Sequence, residues 1–105
     1  MMKIVELKEA ERVPIHIDAR RMCIRPDIEV IHLNFSPGEI LDKHANPFDV
    51  VFYVVEGTGE LEVGEEKRQI TKDTAIEVPA NIMRGWKNTG TGNLRVLVIK
   101  AMQKQ

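Results

Sequence analysis

The sequence contains a single cysteine, Cys23, so it can form no intrachain disulfide framework and no thiol-rich metal motif. That usage fits a reducing compartment. Long apolar runs are also missing. The opening stretch MMKIVELKEAER alternates charges with short apolar pieces, which argues against a secretory h-region, and no later segment is suited to span a bilayer. The expected localisation is cytoplasmic, with no membrane partner. An excess of one charge sign is lacking too: 15 Lys and Arg stand against 16 Asp and Glu, a formal net charge of −1. No nucleic acid is therefore expected as a partner. The densest basic stretch, Arg20, Arg21 and Arg25, is interleaved with Asp18, Asp27 and Glu29 and reads as a solvated edge. Helical periodicity is almost absent. So are a Gly-rich phosphate loop leading into a helix and a G-x-S-x-G nucleophile elbow.

What remains reads as an all-β chain. At 105 residues, 43% hydrophobic and 30% charged, the composition is that of one soluble globular domain spanning 1–105. Short runs rich in Val, Ile and Thr, punctuated by Gly, Pro and Asn, predict eight strands. These are Val13–Asp18, Asp27–Phe35, Val50–Val55, Gly59–Val63, Lys67–Ile70, Ala75–Val78, Met83–Lys87 and Leu94–Lys100. Glu56-Gly57-Thr58-Gly59 and Val63-Gly64-Glu65-Glu66 read as hairpin turns, and Asn88 to Asn93 as a polar connection. Alternation puts Ile31, Leu33 and Phe35 on one face of their strand and Val30, His32 and Asn34 on the other. Several short strands, each with one apolar face, describe a sandwich or a closed barrel. The first dozen residues are open between a short strand and a segment packed on a second subunit.

One stretch carries more than fold information. Gly38, His44 and Gly57 match the spacing of the first signature motif of the cupin superfamily, G-x5-H-x-H-x3-4-E-x6-G, and Phe52 to Glu60 reads FYVVEGTGE. The second motif, G-x5-P-x-G-x2-H-x3-N, is matched loosely by Pro79 to Asn88, with Asp73 in the place of the leading glycine. The chain thus resembles a small single-domain cupin with a degenerate metal motif. The resemblance implies a jelly-roll, double-stranded β-helix barrel over roughly 28–100, preceded by an N-terminal strand region over 1–27. In metal-binding cupins two histidines and a glutamate of the first motif, with the histidine of the second, hold the ion. Here only His44 keeps its identity; Asn46, Val50 and Arg84 stand at the other three positions.

A first-row metal normally takes three or four protein donors. One imidazole and one amide fall short of that. Arg84 would also put a permanent cation beside the ion, repelling it by several kcal/mol even at an effective dielectric of ~20. No metal cofactor is therefore expected. The alternative is a divalent transition metal in a rebuilt site around His44 and Asp49, with His32 as a further donor; Asp42, two residues before His44, shares its side by parity, toward the barrel mouth. A bulge near Pro47 would be needed to turn Asp49 inward.

If the resemblance places His44, Asn46 and Arg84 inside the barrel above Phe52, Val54 and Trp86, the cavity suits a small anionic ligand with an apolar portion. A carboxylate is the simplest example. The competing reading sends Arg84 out to solvent or pairs it with Asp42 or Asp49 and leaves an ordinary filled barrel; the residues alone leave both open. His16 and His32 face outward by parity, Cys23 reads as a small buried hydrophobe, and Tyr53 as packing on the outer side. The resemblance further implies a homodimer, with Val51, Tyr53 and Val55 on a covered face. The sequence assigns no catalytic residue, although His44 as a lone general acid or base beside Arg84 is chemically admissible.

Overall fold

A computed structural model describes residues 1–102 of the chain. A single 3-10 turn, Leu7–Glu9, precedes ten strands: β1 Glu11–Arg12, β2 Asp18–Ile24, β3 Ile28–Phe35, β4 Ile40–His44, β5 Asp49–Glu56, β6 Thr58–Val63, β7 Glu66–Thr71, β8 Thr74–Val78, β9 Arg84–Asn88 and β10 Leu94–Ala101. They form a six-stranded sheet in the order β1-β2-β3-β10-β5-β8 and a four-stranded sheet in the order β4-β9-β6-β7, antiparallel throughout. The inner faces enclose one hydrophobic cluster, whose centre includes Leu33, Phe35, Phe52, Val54, Val96 and Trp86. Burial alternates along β5 and β10 as a one-sided sheet requires.

Seven of the eight expected strands are present with ends shifted by a residue or two. The eighth is displaced. Val13–Asp18 is not a strand: Pro14 has no amide hydrogen to give a ladder, the Ile15 amide donates back to the Val13 carbonyl at 2.8 Å, and regular pairing begins only at Asp18. β4 has no counterpart among the sequence-based strands. Its Ile40 is exposed and Asp42, Lys43 and His44 are polar, so no alternation marks it.

The turns show why certain residues stand where they do. Gly57 takes φ +87, and a Cβ there would lie 2.3 Å from the Asn93 carbonyl oxygen, so only glycine fits the bend between β5 and β6. Asp73 and Asn81 replace the two glycines of the second motif, and both take left-handed φ, 63° and 66°. Aspartate and asparagine are among the few other residues that visit this region. Asp73 is held by its amide on the Val54 carbonyl at 2.7 Å, and its carboxylate accepts from the Tyr53 hydroxyl at 3.2 Å.

The chain passes between the sheets twice at one end of the sandwich, from β4 to β5 and from β8 to β9. This end therefore gathers the last residue of β4, the first residues of β5 and β9, and the last residues of β8 and β10. Register confirms it: Val50 pairs with Val78 and with Lys100, Lys100 with Glu29, and Arg84 with His44.

Candidate functional site

A cavity of about 390 Å³ opens between the sheets and extends from that end into the core. His44, Asn46, Phe52, Arg84 and Trp86 line it, as the sequence reading expected of them. Val54 does not. It is fully buried two residues beyond Phe52, level with Val96 and Thr74, and belongs to the closed part of the core.

Arg84 is the central residue. It is 2% exposed, yet no carboxylate of the described residues lies within ion-pair reach. Nη1 donates to the Ile82 carbonyl at 3.3 Å. With the Asn46 amide turned so that its oxygen faces the guanidinium, Oδ1 accepts from Nη2 at 2.6 Å. Nε is buried without any partner. Of five donor hydrogens, two are thus accounted for. Burial lowers the Arg84 pKa from its usual value, but a guanidinium remains a cation at any physiological pH.

His44 sits directly across from Arg84 on the neighbouring strand, where side chains of a pair stand about 5 Å apart at Cβ. Its Nδ1 lies 3.2 Å from the Asp42 carbonyl, which can accept the Nδ1 hydrogen. The register of β4 against β9 shifts between Leu41 and His44. That irregularity lets both line the cavity although they are three residues apart, and it takes Asp42 off the cavity side, against the parity expectation. Gly85 makes the irregularity possible. A Cβ at Gly85 would stand 2.7 Å from the Leu41 carbonyl oxygen and 3.0 Å from the Lys43 amide.

Asp49 is not turned inward. Its carboxylate accepts from the Ala80 amide at 2.9 Å and is absent from the cavity wall. Neither Asp42 nor Asp49 pairs with Arg84, so the filled-barrel arrangement of the sequence reading is not what the side chains adopt. His16 is exposed and lies 2.6 Å from the Ile40 carbonyl by its Nε2. His32 is on the outer face of the six-stranded sheet, but buried, where Arg95 Nε donates to its Nε2 at 3.0 Å. Burial, and next the Arg95 charge, hold its pKa below the usual value. Cys23 is half-buried.

Among the described residues no group of three or more His, Cys, Asp and Glu side chains is placed to hold an ion. At the position a fourth donor would occupy stands a buried guanidinium.

Sequence reasoning missed part of the wall. Arg21, Glu29 and Lys100 line the cavity, together with Ile31, Leu33 and Val98. The signal was available: Glu29 shares the alternation of Ile31 and Leu33, and Lys100 that of Val98. Lys100 pairs with Glu29 at 3.7 Å and stands 5.7 Å from the centre of the Phe48 ring, while Arg21 pairs with Glu11 at 3.7 Å. Among the described residues three cations and one carboxylate therefore line the cavity, and Arg84 is the one of the three cations without a carboxylate partner.

This geometry can be set beside known proteins. The cupin domain family matches residues 31–100, and the chain belongs to that family. No curated protein matches. Among solved structures, KdgF from Halomonas sp. is 20% identical over 99% of this chain and 97% of its own, with a TM-score of 0.83. The polyketide cyclase RemF from Streptomyces resistomycificus is 17% identical over 98% and 81%, with a TM-score of 0.85. An RmlC-like cupin family protein with a double-stranded β-helix fold, from Methanocaldococcus jannaschii, is 19% identical over 96% and 91%, with a TM-score of 0.83. At these identities the likeness shows the fold: an all-β double-stranded β-helix of two antiparallel sheets. Among the described residues no helix is long and apolar enough to cross a membrane.

Proposed function

We propose that this cupin binds a small organic anion, a carboxylate with an apolar body, without a metal. One observation carries the reading: Arg84 is buried in a largely apolar cavity with no carboxylate of its own. An unpaired buried cation is costly to a fold and is retained where a ligand supplies the opposite charge. Arg84 offers the fork that matches a carboxylate, and Asn46 fixes one of its arms. Ile31, Leu33, Leu41, Phe52 and Val98 would receive the apolar body. His44 stands beside the bound group.

The test is a thermal-shift screen of small carboxylates on untagged protein, with Arg84→Ala as control and elemental metal content measured in parallel. The expected result is stabilisation by carboxylates that Arg84→Ala loses, with metal far below one per chain. Near-stoichiometric metal that disappears in His44→Ala would overturn the reading in favour of a metal-dependent enzyme.

We also propose a cytoplasmic homodimer. Val51 and Val55 are half-buried on the outer face of the six-stranded sheet, and Tyr53 beside them is 36% exposed. This supports a face covered by a second copy. Light scattering should give twice the 12.0 kDa chain mass; a monomer alone would refute it.

A further inference from the structure

The six-stranded sheet turns three charged side chains into the cavity: Arg21 on β2, Glu29 on β3 and Lys100 on β10. Glu29 and Lys100 stand opposite each other, two residues along from the Ile31–Val98 pair, and Arg21 is opposite Ile31. They continue the alternation that carries Ile31, Leu33 and Val98 into the core. A sheet face that packs on a closed core is apolar at such positions. Three charges there on three adjacent strands break that pattern, and such breaks mark functional sites.

These charges are open to a ligand. Their side chains are between 25% and 32% exposed. Lys100 Nζ lies 3.7 Å from Glu29 Oε1, within ion-pair reach but too far for a hydrogen bond, so the ammonium hydrogens stay available. Arg21 Nη1 donates to the Arg12 carbonyl at 3.1 Å, and its acidic neighbour Glu11, at 3.7 Å, is largely exposed and lies outside the cavity wall. A pair so exposed offsets little of the arginine charge.

The charge count then sets what the cavity takes. Among the lining side chains three cations stand against one carboxylate, an excess of two positive charges. One is Arg84 on the four-stranded sheet, which the ligand carboxylate meets. The other belongs to Arg21, Glu29 and Lys100 on the sheet opposite, and a monoanion leaves it unmatched.

We propose that the ligand is a dianion, an acid whose apolar body carries a second anionic group held by Lys100 and Arg21; an α,ω-dicarboxylate is the simplest case. This rests on the carboxylate reading of Arg84 and narrows it from monoacids to diacids. An ammonium in the second place would be attracted by Glu29 alone and repelled by the two cations that flank it. The ligand bridges the two sheets, one anionic end on each.

Three acids of matched length test this: hexanoate, adipate and 5-aminopentanoate, ending in a methyl, a carboxylate and an ammonium group. Calorimetric titration at neutral pH should show adipate binding about fivefold more tightly than hexanoate, the size of one part-exposed ionic contact. The amino acid should bind more weakly than either. Succinate against butanoate and glutarate against pentanoate extend the comparison to shorter spans. The diacid preference should shrink as salt is raised. Lys100→Met should reduce the ratio of adipate to hexanoate affinity, and Glu29→Gln, which removes the one opposing charge, should widen it. Opposite shifts of a ratio taken on one protein do not arise from poor folding. If no diacid binds more tightly than its own monoacid, or if both variants leave the ratio unmoved, this inference is overturned; monoacid binding that Arg84→Met abolishes would then keep the carboxylate reading. Binding of none of these acids would overturn both.

Discussion

Replacing Arg84 by methionine should make the protein more stable while removing its ligand binding. The guanidinium is 2% exposed, two of its five donors are matched, and no carboxylate offsets its charge. Methionine fills a similar volume and carries no charge to desolvate. Replacing buried ionic groups with well-packed apolar ones is commonly neutral or stabilising by about 1–4 kcal/mol. Here the lost bonds to Ile82 and Asn46 offset part of the gain, at about 1 kcal/mol each. A net gain of up to about 2 kcal/mol is expected, or up to roughly 8–16 °C in Tm for a domain of this size. Urea unfolding followed by circular dichroism would show the midpoint rising with the slope unchanged. The same variant should lose stabilisation by carboxylates, which in the wild type reaches about 2.7 kcal/mol at a hundred times Kd. Destabilisation by more than about 1 kcal/mol would refute the reasoning, because it would mean that the charge is satisfied within the fold.

Gly85→Ala presses a methyl group against the Leu41 carbonyl and the Lys43 amide, both backbone. It should cost about 1–3 kcal/mol in urea unfolding, and it should weaken carboxylate binding by moving β4, and His44 with it, away from β9. Asn81 holds φ 66° with its amide on the Asn46 carbonyl at 2.7 Å. Asn81→Ala should therefore destabilise by about 1 kcal/mol in the same assay, while Asn81→Gly stays within a few tenths. His32 is buried with its Nε2 accepting from Arg95, and Arg20 and Asp18 also act on it. Burial and Arg95 place its folded pKa below the 6.5 of the unfolded chain. As pH falls through 6.5 the unfolded state takes the proton first, so stability is lost on acidification; above 6.5 the contribution is complete. Urea midpoints measured from pH 8 to pH 5 should fall for the wild type with a His32 contribution of at most about 1.4 kcal/mol per pH unit, and His32→Gln should remove that component.

How much was legible beforehand depended on what each segment buries. β3, β5 and β10 carry apolar residues at every second position, and their strands and faces could be read directly. β4 could not be found, because its Ile40 is exposed, Leu41 is its one apolar residue on the core, and Asp42, Lys43 and His44 are polar. The displaced second strand had an apolar pattern, but Val13 and Ile15 face the cavity from a coil held by the Ile15 and Val13 amides and by His16. Motif spacing located His44, Asn46 and Arg84, and the same resemblance set Phe52, Trp86 and Val54 beneath them, of which Val54 lies in the closed core instead. Parity misplaced Asp42 because the shift in β4 is set by close approach to Gly85, a tertiary fact with no local signal. The partnerless state of Arg84 is of the same kind: it depends on where Asp42 and Asp49 turn, and Asp49 turns to the Ala80 amide.

The two crossings between the sheets have a consequence for how such a site can be rewritten. His44, Asn46 and Arg84 hang on the crossing segments or the strand ends next to them, and Val50 follows directly after. Of these side chains only Val50 belongs to the hydrophobic cluster around Phe35, Val54 and Leu94. Chemistry at this end is therefore separable from the core that holds the sheets together. Asn46→His, Val50→Glu and Arg84→His together would give, with His44, three imidazoles and a carboxylate, a donor set a first-row metal accepts. The anion receptor proposed above and a metal receptor would then differ by three substitutions on one fold, and the charge balance at this end, rather than its architecture, would decide between them.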